Sequence, residues 1–182
     1  MRDGNSIKSF LDNFKVVPYQ DVEKLREQKS PRNMIAQKGG QENALASEAD
    51  IVIAGGNRGG GKSWMLLLSV FNEIYDPNLS ALILRKERDD LSNLVDKSEK
   101  LFKDFGEYKR SKDMMKWDYK AGGTLAFSFH DDPLKDFCDR FQGREYNRIG
   151  IDEITQIDFL KFKYIQSCNR NAYHLKNQLI GT

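Results

Sequence analysis

Several features are scarce in this 182-residue chain, and each scarcity excludes a class of protein. It has two cysteines, Cys138 and Cys168, and neither lies in a CxxC or Cys/His array, which argues against structural zinc and structural disulfides. We expect both to be buried thiols. No apolar run approaches the roughly 20 residues needed to cross a bilayer. The N-terminus mixes Arg2, Asp3 and Lys8 without an apolar signal core, so we expect a soluble, cytoplasmic protein without a membrane partner.

A dominant charge of one sign is also missing. The 29 Lys and Arg residues nearly balance the 27 Asp and Glu residues, for a formal net charge of +2. Phosphate binding shows as a concentrated basic face rather than as a slight excess, so composition neither indicates nor excludes nucleic-acid binding. The length suits one ordinary α/β domain with enough residues to bury a core.

The first 40 residues differ in pattern from the rest. Two short amphipathic stretches, 7–14 and 21–28, precede a polar run with proline and glycine that ends near residue 40. This pattern predicts weakly packed helices joined by a loop, in a peripheral segment 1–40. Strand and helix signals alternate over residues 41–182, which we expect to form one domain.

The alternation predicts an α/β fold. A hairpin at the sheet margin is expected around Ala121-Gly122-Gly123, and the β-branched run 50–54 is expected to be a buried strand. The predicted order is helix 42–47, strand 50–54, helix 62–74, strand 81–84, helix 89–105, strands 114–119 and 124–129, helix 133–141, strand 148–151, helix 159–168 and strand 176–181. Such an order predicts a mostly parallel sheet with helices on both faces.

The strongest motif lies between the first predicted strand and the helix that follows. The pattern GxxxxGK[ST] is met by Gly56-Asn57-Arg58-Gly59-Gly60-Gly61-Lys62-Ser63. Phosphate oxygens need several backbone N–H groups pointing inward at once; glycines permit those turns, and the helix N-terminus adds a favourable dipole. We expect Lys62 at the β and γ phosphates and the Ser63 hydroxyl on Mg²⁺. The motif predicts binding of a nucleoside triphosphate such as ATP.

A second motif is the short apolar strand Arg148-Ile149-Gly150-Ile151, which ends in Asp152-Glu153. Asp152 is expected to hold Mg²⁺ through water, and Glu153 to polarise the water that attacks the γ phosphate. Taken alone, an Asp-Glu pair is more often a solvated strand end, but its place about one hundred residues after a P-loop favours the metal site. Motor ATPases put Glu directly after Asp, whereas small-molecule kinases and GTPases usually take this group from elsewhere. The pair favours a motor.

The stretch from residue 41 to 158 resembles the ATPase domain of tailed-phage terminase large subunits. The resemblance covers roughly two thirds of the chain and is specific as a set. In the family's order, it is carried by Gln41-Glu42-Asn43-Ala44-Leu45, Ala49-Asp50-Ile51-Val52-Ile53-Ala54-Gly55-Gly56, the P-loop, Leu82-Ile83-Leu84-Arg85-Lys86, Phe141-Gln142-Gly143-Arg144-Glu145-Tyr146 and Ile151-Asp152-Glu153-Ile154-Thr155-Gln156. It implies a P-loop NTPase fold of the ASCE, RecA-like type.

The resemblance also implies roles that spacing does not show. Gln41 matches the family's adenine-reading glutamine, with Gln37 as a weaker candidate. Arg58 corresponds to a basic residue that terminases use near the γ phosphate. Arg140 and Arg144 lie where similar motors offer an arginine to the neighbouring subunit's nucleotide, and Arg144 is preferred. Ordinary polar or surface roles are the alternatives for each.

By this resemblance, ATP hydrolysis would drive viral double-stranded DNA into a procapsid. The partners implied are the portal protein, a small terminase subunit that selects the DNA, and further copies of the chain in a homo-oligomeric ring in the host cytoplasm. The family has a coupling motif in which a small polar residue at a strand tip senses the γ phosphate, and Gln178-Leu179-Ile180-Gly181-Thr182 fits that strand. The chain stops at Thr182, so we expect the closing strands and the nuclease domain to be absent, and with them nuclease activity.

Two other interpretations stay open. A helicase or another nucleic-acid-stimulated ATPase shares this core, and a non-catalytic nucleotide-binding assembly module is also compatible with it. The motor interpretation requires Lys62 and the acids Asp152 and Glu153 to converge on one cavity, at what we expect to be adjoining strand tips. No catalytic role is expected for the isolated His130 and His174.

Overall fold

The computed structural model describes residues 36–56, 60–110, 115–173 and 175–182. The predicted helices at 7–14 and 21–28 lie outside these residues. So do three members of the P-loop, Asn57, Arg58 and Gly59, and the isolated His174.

Strands and helices alternate through the described residues as predicted. The elements are α1 (Gly40–Ala46), β1 (Ile51–Ile53), α2 (Lys62–Phe71), β2 (Ser80–Arg85), α3 (Leu91–Phe102), β3 (Gly106–Arg110), β4 (Met115–Tyr119), β5 (Thr124–Phe129), α4 (Leu134–Phe141), β6 (Arg148–Ile151), a 3₁₀ turn (Ile154–Gln156), α5 (Phe159–Ser167) and β7 (Gln178–Gly181). Every element predicted between residues 41 and 182 is present, with ends that differ by no more than three residues. The edge strand β3 was not predicted.

The strands form one mostly parallel sheet, as predicted, in the order β1-β7-β6-β2-β5-β4-β3. The first five run parallel, and β4 and β3 are antiparallel additions at one margin. The predicted hairpin is confirmed, with Trp117 opposite Leu125. The expectation of adjoining strand tips was wrong, because β7 lies between the P-loop strand β1 and the acid-bearing strand β6. The last strand of the chain thus inserts into the middle of the site.

Helices cover both faces of the sheet. On one face, the α4 and α5 side chains Phe137 and Ile165 join a buried cluster with Leu82 and Ile149 of the central strands. On the other face, α2 lies against β6 so closely that a Cβ atom at Gly150 would be 3.3 Å from Leu66 Cδ2. Strand side chains alternate between the two faces, so each central strand is buried on both sides.

Three aromatic residues of the hairpin, Trp117, Tyr119 and Phe127, are buried in the core. Trp117 and Tyr119 are buried and contact the Phe102 ring of α3, with centroids 5.9 Å and 5.4 Å away. The indole of Trp117 donates a hydrogen bond of 2.8 Å to the Ser98 hydroxyl. This cluster fixes α3 and the antiparallel margin on the parallel sheet.

Two burial expectations were wrong. β1 is the edge strand of the described sheet, and Ile51 and Ile53 are 39% and 66% exposed rather than buried. A β-branched run suits an edge strand as well as a central one, so the sequence did not separate the two. Cys168 is buried as expected, but Cys138 is only half-buried. In the part of the chain that the structure describes, no helix is both long enough and apolar enough to cross a membrane.

Candidate functional site

The residues predicted to act together lie at the carboxyl edge of the parallel strands. The glycine-rich loop follows β1, Asp152 and Glu153 follow β6, and Thr182 follows β7. Arg85 ends β2 at the same edge. Parallel strands bring the residues after them to one crevice, which is where open α/β sheets bind ligands.

The glycine-rich loop leads directly into α2. Gly61 adopts a left-handed conformation with φ of 72° immediately before the helix, a backbone state that glycine reaches without strain. The Lys62 ammonium donates to the Gly56 carbonyl at 3.1 Å, so the side chain folds back across the loop. Gly56, Gly60 and Lys62 line a cavity of about 110 Å³. The Lys62 ammonium and the N-terminus of α2 thus lie beside one small space.

Ser63 and Asp152 join the two motifs. The Ser63 hydroxyl donates to Asp152 Oδ2 at 3.0 Å. Asp152 is buried, with 3% of its surface exposed, and its other oxygen accepts a hydrogen bond of 3.0 Å from the Thr182 hydroxyl. The carboxylate of Asp152, which directly follows β6, therefore contacts both the first turn of α2 and the residue after β7.

Glu153 follows in a left-handed conformation, with φ of 59°. No other non-glycine residue in the described part of the chain has a positive φ, and such a backbone state costs of order 1–3 kcal/mol. Its half-exposed carboxylate accepts 2.7 Å from Gln156 Nε2 and lies 3.8 Å from the Arg85 guanidinium. Glu153 thus lies at the same strand tip as Asp152 but has different hydrogen-bond partners.

Arg85 is a member of the site that the motifs did not predict. Its Nε lies 3.8 Å from Asp152 and its Nη2 3.8 Å from Glu153, while Nη1 donates to the Asp90 carbonyl at 2.9 Å. The Nε atom is buried and makes no hydrogen bond within the described residues. One cation thus offsets two adjacent acids. The available signal was a charge ending the buried strand Leu82-Ile83-Leu84, the same pattern that marks Asp152.

The Gln41 carboxamide is held by the P-loop. It is 7% exposed, and its Nε2 donates to the carbonyls of Gly60 and Gly61 at 3.1 Å each. Its Oε1 accepts 2.9 Å from the backbone N–H of Gln37. A side chain at Gly61 would collide with this amide. Gln37 is exposed and lines the same cavity.

The two candidate arginines lie at opposite edges of the sheet. Arg144 is exposed on the loop before β6, and the neighbouring Glu145 carbonyl accepts from Ser80 at the start of β2, so Arg144 lies at the amino edge. Arg140 forms an ion pair with Asp132 and stacks 4.1 Å above the Phe129 ring. The Arg140 guanidinium also donates to the Phe129 carbonyl at 2.9 Å, at the last residue of β5, so it lies at the carboxyl edge and is held there by its own contacts.

The oxygen donors at the site suit magnesium. Mg²⁺ prefers oxygen ligands and is usually held by one or two carboxylates together with substrate phosphates. Asp152 and Ser63 supply a carboxylate and a hydroxyl within hydrogen-bond distance of each other. Among the described residues, no three His, Cys, Asp or Glu side chains gather into an all-protein metal site. The donor set therefore fits a metal that is shared with a phosphate ligand.

Comparison of the sequence with protein-family models and with curated proteins finds no match. Solved structures do match. The large terminase of a thermophilic bacteriophage aligns with a TM-score of 0.59 at 15% identity, over 81% of this chain and 39% of that chain. The same terminase in complex with ADP aligns with a TM-score of 0.57 at 13% identity, over 81% of this chain and 38% of that chain.

The ATPase domain of the Thermus phage P74-26 large terminase aligns with a TM-score of 0.52 at 16% identity, over 80% of this chain and 64% of that chain. The chain thus spans between about two fifths and two thirds of the length of these solved chains. It has the fold of phage large-terminase ATPase domains, a P-loop fold.

Proposed function

We propose that this chain binds ATP with Mg²⁺ at the carboxyl edge of its sheet and hydrolyses it, as the nucleotide-binding part of a phage DNA-packaging motor. The observation that carries the proposal is the hydrogen bond of 3.0 Å between Ser63 and Asp152. It joins the helix after the glycine-rich loop to the acidic end of β6. A chance glycine-rich turn has no reason to meet a buried carboxylate from a distant strand.

The glycine-rich loop and α2 would hold the phosphates. Backbone N–H groups of the loop and the positive end of the helix dipole favour an anion in the cavity. Lys62 adds a compact positive charge for the β and γ phosphates. Asn57 and Gly59 complete the loop in sequence, and Arg58 is proposed to face the γ phosphate.

Ser63 and Asp152 would hold Mg²⁺, the Ser63 hydroxyl directly and Asp152 through water. When bound, Mg²⁺ neutralises negative charge on the phosphate oxygens that it contacts. Thr182 keeps the Asp152 carboxylate oriented by occupying its other oxygen. Thr182 ends the strand that resembles the family's coupling motif, so a change at the phosphates would reach β7 through Asp152.

Glu153 would act as the general base. Its carboxylate is partly exposed and held by Gln156, so it can accept a proton from a water molecule that attacks the γ phosphate. Arg85 is a positioning residue, because its guanidinium lies between the two acids and limits their mutual repulsion. The base is thus oriented from both sides.

Gln41 and Gln37 would have different roles near the adenine base of the nucleotide. Both donor hydrogens of the Gln41 amide are committed to P-loop carbonyls, so its first role is to brace the loop. Gln37 keeps its own amide exposed beside the same cavity and can both donate to and accept from a base edge. The two are coupled, since the Gln37 N–H donates to the Gln41 side chain.

The DNA-packaging role rests on the fold and on the residue pattern together. Solved chains with this fold include phage large terminases, and in this chain an acid pair ends β6, as in motor ATPases. We extend to the whole protein a homo-oligomeric ring on a portal protein, a procapsid, a small terminase subunit and a place in the host cytoplasm. Arg144 lies at the amino edge, so it would serve a neighbouring subunit's nucleotide rather than its own.

Phosphate release with and without DNA tests the proposal. We expect hydrolysis of Mg·ATP by the chain to rise with double-stranded DNA and to fall in the Glu153→Gln variant. Stimulation by single-stranded DNA alone would favour the helicase interpretation. Equal rates for the parent chain and Glu153→Gln would favour the non-catalytic assembly module. Either result contradicts the packaging motor.

A further inference from the structure

At the edge of the sheet opposite Lys62, a buried polar cluster joins the far end of α2 to the amino ends of β6 and β7. Arg148, the first residue of β6, forms an ion pair with Glu73, which follows the last turn of α2. The Arg148 side chain is 9% exposed and that of Glu73 20%. Charges that are largely removed from water are costly unless they are paired. The pair is therefore a specific contact between this helix and this strand.

Neighbouring amides complete the cluster. Asn147 donates 3.0 Å to the second Glu73 oxygen. Gln178, the first residue of β7, accepts from Arg148 and donates 2.9 Å to the Ser47 carbonyl in the loop before β1. The cluster thus connects α2 with β6, with β7 and with the connection into the P-loop strand.

The same helix and strand meet at three levels. At the carboxyl edge, Ser63 of α2 donates to Asp152 after β6. In the middle, Leu66 packs on Gly150, whose lack of a side chain gives a close but smooth contact. At the amino edge lies the ion pair between the buried Arg148 and the partly buried Glu73. At Gly150 no side chain of the strand interlocks with the helix, so the middle contact is apolar and close-packed. The directional polar contacts between α2 and β6 therefore lie at the two ends, and close packing transmits a displacement from one end to the other.

We propose that Arg148 and Glu73 are positioning residues for the nucleotide site. By fixing the far end of α2 on β6, they keep Lys62 and Ser63 in reach of Asp152. The helix is ten residues long, about 15 Å, and its internal hydrogen bonds make it stiff, so a displacement at one end is passed to the other. This inference rests on the proposed function of the site.

Nucleotide affinity measured apart from stability tests the inference. Mg·ATP is titrated into the 182-residue chain at a temperature at which every variant is folded. We expect Arg148→Met to raise the Kd about tenfold and Arg148→Lys, which keeps the charge, to raise it less. The control is Phe141→Leu, in the core on the opposite face of the sheet. It should lower the unfolding midpoint by a few degrees and leave the Kd within about twofold of the parent value.

The outcomes separate three cases. A Kd for Arg148→Met close to that of the parent, with a lowered unfolding midpoint, would show that the pair only stabilises the fold and would overturn the inference. If Arg148→Met does not fold, Arg148→Lys and Glu73→Gln are judged by the same criterion. If the parent chain does not bind Mg·ATP, or if Lys62→Ala binds it equally well, the proposed function itself fails.

Discussion

Ser63 donates a hydrogen bond to Asp152 across 3.0 Å, although 89 residues separate them in the chain. The other oxygen of the same carboxylate accepts from Thr182, at the end of the strand that lies between β1 and β6. A helix and two strands therefore meet on one buried acid. The helix that follows the glycine-rich loop, the proposed metal ligand and the strand proposed to sense hydrolysis are linked through this single group.

Substitution of the two glutamines should separate loop bracing from base recognition. We expect Gln41→Ala to weaken the binding of ATP and of GTP equally, by about tenfold. The reason is that removal of an amide that satisfies two part-buried carbonyls costs roughly 1–3 kcal/mol. Gln37→Ala should weaken the binding of ATP more than that of GTP and so lower the selectivity for ATP over GTP. Competition titrations with both nucleotides measure the two effects. If only Gln41→Ala lost the selectivity for ATP over GTP, Gln41 rather than Gln37 would be the residue that recognises adenine.

Replacement of the proposed base should uncouple binding from hydrolysis. Glu153→Gln keeps the size and the hydrogen-bonding ability of the side chain but removes the proton acceptor. The rate of phosphate release should therefore fall about 10²- to 10⁴-fold, while the Kd for Mg·ATP changes little. Asp139→Asn, an exposed acid on α4, is the matched control and should keep the parent rate. A Glu153→Gln variant that hydrolyses at the parent rate would remove Glu153 from the mechanism.

The close contact between α2 and β6 predicts a stability effect at Gly150. A methyl group there would lie 3.2 Å from an Ile83 side-chain carbon and 3.3 Å from Leu66. Such overpacking costs typically about 1–3 kcal/mol, so Gly150→Ala should shift the urea midpoint down. Gly40→Ala is the control, because its methyl group would meet nothing within 4 Å and the residue begins a helix. Equal midpoints for the two variants would contradict this packing.

His130 should make the fold sensitive to mild acid. Burial lowers the pKa of His130, and the positive charges of Lys161 and Lys86 lower it further, against the opposing effect of Asp131. The unfolded chain takes up the proton near pH 6.5, so it binds more protons than the folded chain below that pH. Stability is then independent of this group above about pH 7 and falls as the pH drops below 6.5.

Denaturation curves at pH 7.5 and pH 5.5 check this effect. The parent chain should lose more stability between the two pH values than His130→Asn, in which the titrating group is absent. The comparison concerns the change with pH rather than the absolute stability, because the substitution also alters packing at a buried position. An identical change in both proteins would mean that His130 titrates alike in the folded and unfolded states.

The architecture was predictable because its signals are local. Buried parallel strands such as β2 and β6 are continuous apolar runs, and the intervening helices are amphipathic. The edges lacked such signals. β3, with the sequence Gly106-Glu107-Tyr108-Lys109-Arg110, is largely polar because it lies at the margin, so no apolar alternation marks it. The burial of β1 was mispredicted for the converse reason: its apolar residues are typical of a central strand.

The site was predictable as a set of residues and not as an arrangement. Motif spacing identified Lys62, Ser63 and the two acids, since the chemistry requires those residue types. Strand order decided the rest. The insertion of β7 brings Thr182 to Asp152, and the neighbouring β2 brings Arg85 to the same acid. Contacts of this kind depend on which strands become neighbours, which no local pattern specifies.

Calorimetric titration of Mg·ATP into the chain and into Lys62→Ala tests the central claim most directly. Lys109→Ala, which removes an exposed lysine paired with Asp118 on the antiparallel margin, is the matched control. We predict saturable binding at one site per chain, retained in Lys109→Ala and weakened at least about tenfold in Lys62→Ala, because the ammonium supplies charge-assisted contacts to the phosphates. Binding in Lys62→Ala as tight as in the parent chain, or no binding by the parent, would contradict the account.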